Sequence, residues 1–153
     1  MTATENPAAS PSLDLPLYGA SFGQAISRFF RKYATFSGRA SRSEYWWWVL
    51  ASFLVYVVLT VATIALGVAT GTPSDTGDGV RLGPIAVVGF VLIGVWFVVT
   101  LIPQFAVTVR RLHDANLSGW MVLLRLVPSV GDVIVLILTI LPASPLGTRF
   151  DRR

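Results

Sequence analysis

The sequence predicts an all-α integral membrane protein that combines an interfacial amphipathic helix, a two-helix transmembrane hairpin and a third apolar segment. Of its 153 residues, 54% are hydrophobic and 13% are charged, whereas a soluble domain carries about 25% charged residues. Residues 45–70 and 84–109 contain no acidic or basic side chain, and about 20 apolar residues are enough to cross the hydrocarbon core of a bilayer. The net charge is +4, and the basic residues flank the apolar runs. This arrangement favours an anionic membrane surface over nucleic acid as the partner.

The amino-terminal part of the chain is predicted to be a disordered tail followed by an amphipathic helix. Residues 1–16 are rich in proline and small polar residues, a composition typical of disorder. Within 21–34, one apolar stripe recurs at helical spacing, formed by Phe22, Ile26, Phe29, Phe30 and Tyr33. The remaining surface is predicted to carry Gln24, Arg28, Arg31 and Lys32. Ser21 and Gln24 have the spacing of a capping box, which marks a helix start.

Because the segment 21–34 is short and basic, we expect it to lie in the headgroup plane of the membrane. A helix that binds a protein partner is the alternative interpretation.

The two uncharged runs are predicted to be transmembrane helices joined by a short turn. Ser41 and Glu44 form a second capping-box spacing just before the run at 45–70. The aromatic residues that open this run are typical of the water–lipid boundary. Residues 71–83 are polar and rich in glycine, and they form the turn. In the second run, 84–109, we expect Pro103 to kink the helix or to break its last turns.

The segment 120–141 allows two interpretations. It is long enough for a third transmembrane helix, which we take as the first expectation. However, Pro128 and Gly131 are helix breakers, so a re-entrant hairpin is the alternative. The turn of such a hairpin needs protein around it, because lipid does not satisfy exposed backbone groups. A plain span would place the basic tail 142–153 outside the cell, and a hairpin would keep it inside.

The distribution of basic residues sets the expected orientation. Arginine and lysine concentrate before residue 45 and at 110–111, and basic flanks stay in the cytoplasm. We therefore expect one membrane domain, residues 17–150, with a cytoplasmic amino terminus. The turn 71–83 is expected to lie outside.

Charged residues at the cytoplasmic ends of the hairpin form the candidate binding site. The arginines among them are expected to meet on one membrane face, where guanidinium groups bind phosphate through paired hydrogen bonds. The candidate set for an anionic headgroup or a protein partner is Arg39, Arg42, Glu44, Arg110, Arg111, His113 and Asp114. In the alternative interpretation the arginines only set the topology and Asp114 caps a helix.

No catalytic, cofactor or metal site is predicted. His113 and Asp114 are adjacent, so their side chains diverge by about 100° on a helix, and no nucleophile is arranged with them. One histidine and no cysteine leave too few ligands for a zinc site. We therefore expect a protein that is not an enzyme.

Arg125 and Asp132 lie within the third apolar segment and are candidate intramembrane polar residues. A charge in the bilayer interior costs about 2.5 to 3.5 kcal/mol on insertion scales, so each needs a partner or a polar niche. They are too far apart to touch unless the break at Pro128 brings them together. The alternative is that Arg125 snorkels to the interface.

Three motifs follow one another along the chain: FSGRASRSEYWWW at 36–48, VRRLHDANLSGW at 109–120 and LVPSVG at 126–131. Together they resemble the domain-of-unknown-function 805 family of small bacterial inner-membrane proteins. The resemblance covers about residues 24–150. It implies an inner-membrane location and no particular activity. Arg125 and Asp132 depart from the family pattern, which is usually apolar there.

Two functions are expected from these features. The first is a non-enzymatic membrane module whose cytoplasmic Arg/His/Asp cluster binds anionic lipid headgroups or a protein partner. The alternative is a homo-oligomeric small transporter or channel with Arg125 and Asp132 in a polar path. So few helices enclose little interior, which favours self-association or a membrane-protein partner.

Overall fold

The computed structural model describes residues 12–75, 77 and 79–151. The predicted tail residues 1–11 lie outside the described residues. The structure differs from the prediction of a disordered tail at residues 12–16, which form turns packed on the helices. Their carbonyl oxygens, at Ser12 and Leu15 among others, accept hydrogen bonds from the guanidinium of Arg28. A buried guanidinium needs such acceptors, and this backbone supplies them.

The first helix, α1, spans Phe22–Arg31. Its predicted capping box is confirmed, because the Ser21 side chain accepts from the Gln24 backbone N–H and the Gln24 side chain accepts from the Ser21 backbone N–H. Phe29 is buried, and its ring stacks on that of Trp48 with centroids 3.3 Å apart. The apolar stripe of α1 therefore packs on the next helix.

The two long helices are α2, Arg42–Ala69, and α3, Pro84–Asp114. The second capping box, Ser41 with Glu44, is also confirmed. Both helices are long and apolar enough to cross a membrane. Only 6% and 11% of their most apolar stretches are buried within the chain, so lipid or another protein is left to cover the rest. The helix α3 continues through Pro103 to Asp114. The alternative in which Pro103 breaks the last turns is therefore wrong, and a kink at Pro103 stays a prediction.

A short antiparallel β-hairpin closes the turn between α2 and α3. Its strands are β1, Thr72–Pro73, and β2, Val80–Arg81, with Thr72 opposite Arg81. Gly83 ends the turn in close contact with α2, since a Cβ there would lie 2.3 Å from the carbonyl oxygen of Thr70. From its composition this segment was expected only to form a polar turn.

The third apolar segment is a pair of short helices rather than the continuous helix that we took as the first expectation. A 3₁₀ helix, Gly119–Leu126, is followed by α4, Val130–Ile140, and the two pack against each other. Between them, Pro128 supplies no backbone N–H. Ser129 has φ +65° and ψ −63°, the angles of a γ-turn, and the N–H of Val130 donates to the carbonyl oxygen of Pro128.

Both ends of this segment lie at the same end of α3. Gly131 permits the tight reversal, because a Cβ there would stand 1.7 Å from the carbonyl oxygen of Leu124. At the other end of α4, Arg111 of α3 donates to the carbonyl oxygens of Thr139 and Leu141. This is the geometry of the hairpin alternative, and its depth in a bilayer stays a prediction.

The core of the molecule sits at one end of the α2–α3 hairpin. We call this the basic end; it comprises α1, the start of α2, the end of α3 and residues 139–151. Tyr45 and Trp48, expected at the water–lipid boundary, are only 1% exposed and pack there with Phe29 and Val107. The indole of Trp48 donates to the Gln104 side-chain oxygen at 2.6 Å. A second 3₁₀ helix, Pro145–Phe150, covers this end, where the sequence analysis placed only a basic tail.

Candidate functional site

A buried carboxylate organises one half of the basic end. Asp114, at the end of α3, is 0% exposed. Its Oδ1 accepts a hydrogen bond from the Tyr18 hydroxyl at 2.8 Å, and its Oδ2 accepts one from Arg111. Arg39 approaches Asp114 to 3.7 Å and pairs with both oxygens of Asp151 at 2.7 Å. We call these five residues the Asp114 cluster.

Every charged group of the Asp114 cluster has a partner within the chain. The two hydrogen bonds from Arg39 to Asp151 raise the pKa of that guanidinium. Burial of the Tyr18 hydroxyl and its hydrogen bond to Asp114 raise the pKa of Tyr18 to about 12. Because the cluster is internally paired, Arg39 and Arg111 serve as ties between segments rather than as open phosphate ligands.

Arg42 and Arg111 hold the carboxyl end of α4. Nε of Arg111 donates to the carbonyl oxygen of Thr139 at 3.0 Å. Nε of Arg42 donates to that of Leu141 at the same distance. The last carbonyls of a helix have no partner inside it and carry partial negative charge. Two of the predicted headgroup ligands are therefore helix-capping groups in this fold.

A second group of charges lies between α1, α2 and α3. Glu44 accepts from the backbone N–H of Leu17 at 3.2 Å and pairs with Arg28. Lys32 and Arg110 lie near enough for their charges to repel each other. The Lys32 cluster, defined as Arg28, Lys32, Glu44 and Arg110, thus holds three cations against one carboxylate. All four side chains are buried.

Within the Lys32 cluster, Arg110 lacks a full set of partners. It is 2% exposed, and its Nε donates to the carbonyl oxygen of Ala106 at 3.2 Å. Its Nη2 is buried and has no hydrogen-bond partner among the described residues. An unpaired buried donor on a charged group is costly.

Lys32 borders a small polar cavity of about 180 Å³. The cavity, called the Lys32 cavity below, is also lined by Asp14, Arg31, Thr35 and Ser37. Burial lowers the pKa of Lys32 to about 8, and the nearby Arg110 and Arg28 add to this effect. The carboxylates of Glu44 and Asp14 act in the opposite direction on the pKa of Lys32, and Asp14 lines the cavity with it.

A larger cavity of about 740 Å³ lies beside it, between α3 and the first 3₁₀ helix. Its walls include Leu101, Ile102, Phe105, His113, Trp120 and Phe150. His113 places Nδ1 3.1 Å from the carbonyl oxygen of Gly38 and stacks on Phe150, with ring centroids 4.1 Å apart. We call this space the His113 cavity.

His113 and Asp114 do not act as a pair. His113 contacts Gly38 and Phe150, whereas Asp114 contacts Tyr18 and Arg111. In the part of the chain that the structure describes, no group of three or more metal-ligating side chains is found.

Arg125 and Asp132 meet across the break in the third segment. Their Nε and Oδ1 atoms are 3.7 Å apart, with the side chains 21% and 62% exposed. The break at Pro128 thus brings together two side chains that would be too far apart to touch on a continuous helix.

Four residues that complete these clusters were missed as site residues from sequence: Tyr18, Arg28, Lys32 and Asp151. Arg28 and Lys32 were placed on the outer surface of α1, yet they are 6% and 5% exposed. Their partners come from other helices, so helical periodicity alone gives no signal for them. Asp151 is the one acidic residue in the predicted basic tail. It is the only signal in the sequence that the tail folds back to pair with an arginine, which is Arg39 in the structure.

Comparison with known proteins finds one family model, described as a protein of unknown function (DUF805), that matches residues 33–152. The chain is similar to inner membrane protein YhaH of Escherichia coli strain K12, with 29% identity over 80% of this chain and 89% of the relative. It is also similar to inner membrane protein YhaI of the same strain, with 30% identity over 70% of this chain and 75% of the relative. No solved structure matches.

Proposed function

The chain belongs to the DUF805 family of proteins of unknown function, and we propose that it is a non-enzymatic, multi-pass inner-membrane protein that binds an anionic phospholipid headgroup at its basic end. The relatives' names and the two helices of membrane-spanning length support the location. The diverging contacts of His113 and Asp114 support a binding role over acid–base chemistry.

The basic end is proposed to face the cytoplasm. Arginine and lysine crowd the start of α2 and the end of α3, while the opposite turn, 71–83, carries Arg81 as its one basic residue. Basic flanks are retained on the cytoplasmic side. Because the third segment folds back, the carboxyl-terminal residues lie on the same side as α1.

The observation that carries the headgroup proposal is the excess positive charge of the Lys32 cluster. The cluster holds three buried cations and one buried carboxylate, with the carboxylate of Asp14 as a further neighbour of Lys32. Nη2 of Arg110 has no acceptor among the described residues. Buried charges are costly unless they are paired and hydrogen-bonded. Lys32 and Arg31 line the adjoining Lys32 cavity. A phosphate there would add negative charge beside the cluster and accept hydrogen bonds from these two side chains.

The test uses the purified full-length protein in detergent. It is titrated with phosphatidylglycerol and with phosphatidylcholine of the same acyl chains, and bound lipid is counted by native mass spectrometry. We expect preferential binding of phosphatidylglycerol, and a loss of about tenfold in Lys32→Gln, since one charged hydrogen bond is removed.

Arg81→Gln is the matched control. It also removes one positive charge, but the Arg81 side chain is 64% exposed and lies in the opposite turn. Equal affinity of Lys32→Gln and the parent protein for phosphatidylglycerol would overturn the proposal, as would equal binding of the two lipids.

A second candidate is a homo-oligomeric transporter or channel, favoured by the Arg125–Asp132 pair in an apolar segment. Asp132 is 62% exposed, so a polar path along it needs a second copy of the chain to enclose it. This function predicts solute or ion flux in reconstituted vesicles that Asp132→Asn alters. Flux no greater than that of empty vesicles would contradict it.

A further inference from the structure

The Lys32 cavity and the His113 cavity are neighbours that share one wall. Ser37, in the loop between α1 and α2, lines both of them. One cavity is small and charged, and the other is larger and apolar. A headgroup in the first and a chain in the second would therefore be connected at Ser37.

The sizes of the two cavities suit different parts of one ligand. At about 180 Å³, the Lys32 cavity falls below the roughly 300 to 1,000 Å³ of sites that enclose a whole small molecule. The His113 cavity, at about 740 Å³, falls within that range. The charged cavity alone thus accommodates only the anionic end of a larger ligand.

The His113 cavity is open to the region where lipid chains would lie. Leu101 and Ile102 of α3 line it and are 39% and 47% exposed. They belong to the apolar stretch that is long enough to span a membrane. Trp120, also in the wall, is 79% exposed, and tryptophan favours the level of the headgroups.

From this juxtaposition we infer that the two cavities form one phospholipid site, with the phosphate in the Lys32 cavity and one acyl chain in the His113 cavity. The occupant is an anionic phospholipid with long acyl chains. The inference rests on the proposed headgroup function and adds that the chain length of the lipid contributes to its affinity. The acyl chain lies in apolar surroundings in detergent as well, so the contribution of its length comes from van der Waals contacts with the apolar walls.

The experiment separates the head from the tail. Full-length protein is titrated with long-chain dipalmitoyl phosphatidylglycerol and with short-chain dihexanoyl phosphatidylglycerol, and bound lipid is again counted by native mass spectrometry. The variant Ile102→Trp fills the His113 cavity from α3. We expect it to lose about tenfold affinity for the long-chain lipid, because the indole displaces part of the acyl chain and its packing contacts are lost. It should bind the short-chain lipid as the parent does.

Val98→Trp is the matched control. It adds the same side chain to the same helix at a residue that is 66% exposed and is not part of the cavity wall. We expect it to bind both lipids as the parent protein does.

The outcomes distinguish the two proposals. If Ile102→Trp binds the long-chain lipid as tightly as Val98→Trp while Lys32→Gln weakens binding of both lipids, the acyl-chain site is overturned and the headgroup site stands. If Lys32→Gln binds both lipids as the parent does, the headgroup proposal fails and the composite site fails with it.

Discussion

Asp114 is expected to be a structural tie whose loss destabilises the whole basic end. Asp114→Ala removes the acceptor of hydrogen bonds from Tyr18 and Arg111. It also leaves the Arg111 guanidinium, 0% exposed, without its carboxylate. Breaking a buried ion pair from one side costs about 3 to 5 kcal/mol, because an uncompensated charge stays buried. We expect a loss of that size in the free energy of unfolding.

The assay is equilibrium unfolding of purified protein in mixed detergent micelles, followed by helical circular dichroism and by tryptophan fluorescence. Asp75→Ala is the control, since Asp75 also pairs with an arginine but is 76% exposed. Exposed pairs contribute up to about 1 kcal/mol. If Asp114→Ala and Asp75→Ala unfold with free energies that agree within about 1 kcal/mol, the reasoning about the buried pair is refuted.

Three further predictions concern the same fold. Gly131→Ala should disrupt the third segment, because its Cβ would lie 1.7 Å from a backbone oxygen. Gly94→Ala meets open space and should be neutral or stabilising by about 1 kcal/mol. Limited proteolysis and thermal melts compare the two variants. Lys32 has a folded pKa of about 8 against 10.5 unfolded, so the unfolded chain binds more protons between these values and stability should rise with pH across that window. The rise should be absent in Lys32→Gln melts taken from pH 7 to 10.5. Tyr18→Phe should lower the free energy of unfolding by about 1 kcal/mol, less than Asp114→Ala does, because Tyr18 is 56% exposed. Equal losses in the two variants would contradict the assigned geometry.

Local signals in the sequence predicted the helices and two of their starts. Both capping boxes, at Ser21 and Ser41, form as the spacing indicates, because a capping box depends only on residues three apart. The lengths of α2 and α3 follow from runs of uncharged residues, and such runs are visible without any knowledge of tertiary contacts.

Partners distant in the chain are what sequence reasoning could not supply. The hydrogen bonds from Arg39 to Asp151 join residues 112 positions apart. Arg28 and Lys32 look like the solvated face of an amphipathic helix, and only the packing of α1 against α2 and α3 turns them inward. The arginines of the predicted site lie at one end of the hairpin, and their burial and internal pairing depend on these tertiary contacts.

The third segment shows how a local break decides between two arrangements. Composition and length suit either a span or a hairpin, and length favoured the span. The γ-turn at Ser129 and the close approach at Gly131 reverse the chain instead. Neither feature is readable from residue type alone, since serine rarely adopts a positive φ.

The measurement that tests the central claim most directly is the sidedness of the basic end. The chain contains no cysteine, so each single-cysteine variant carries the only thiol. Leu146→Cys lies in the second 3₁₀ helix and is 69% exposed, and Val80→Cys lies in the opposite turn and is 50% exposed. With a membrane-impermeant maleimide, we predict that Val80→Cys is labelled in intact cells and Leu146→Cys only after lysis. Labelling of Leu146→Cys in intact cells would place the basic end outside and contradict the account.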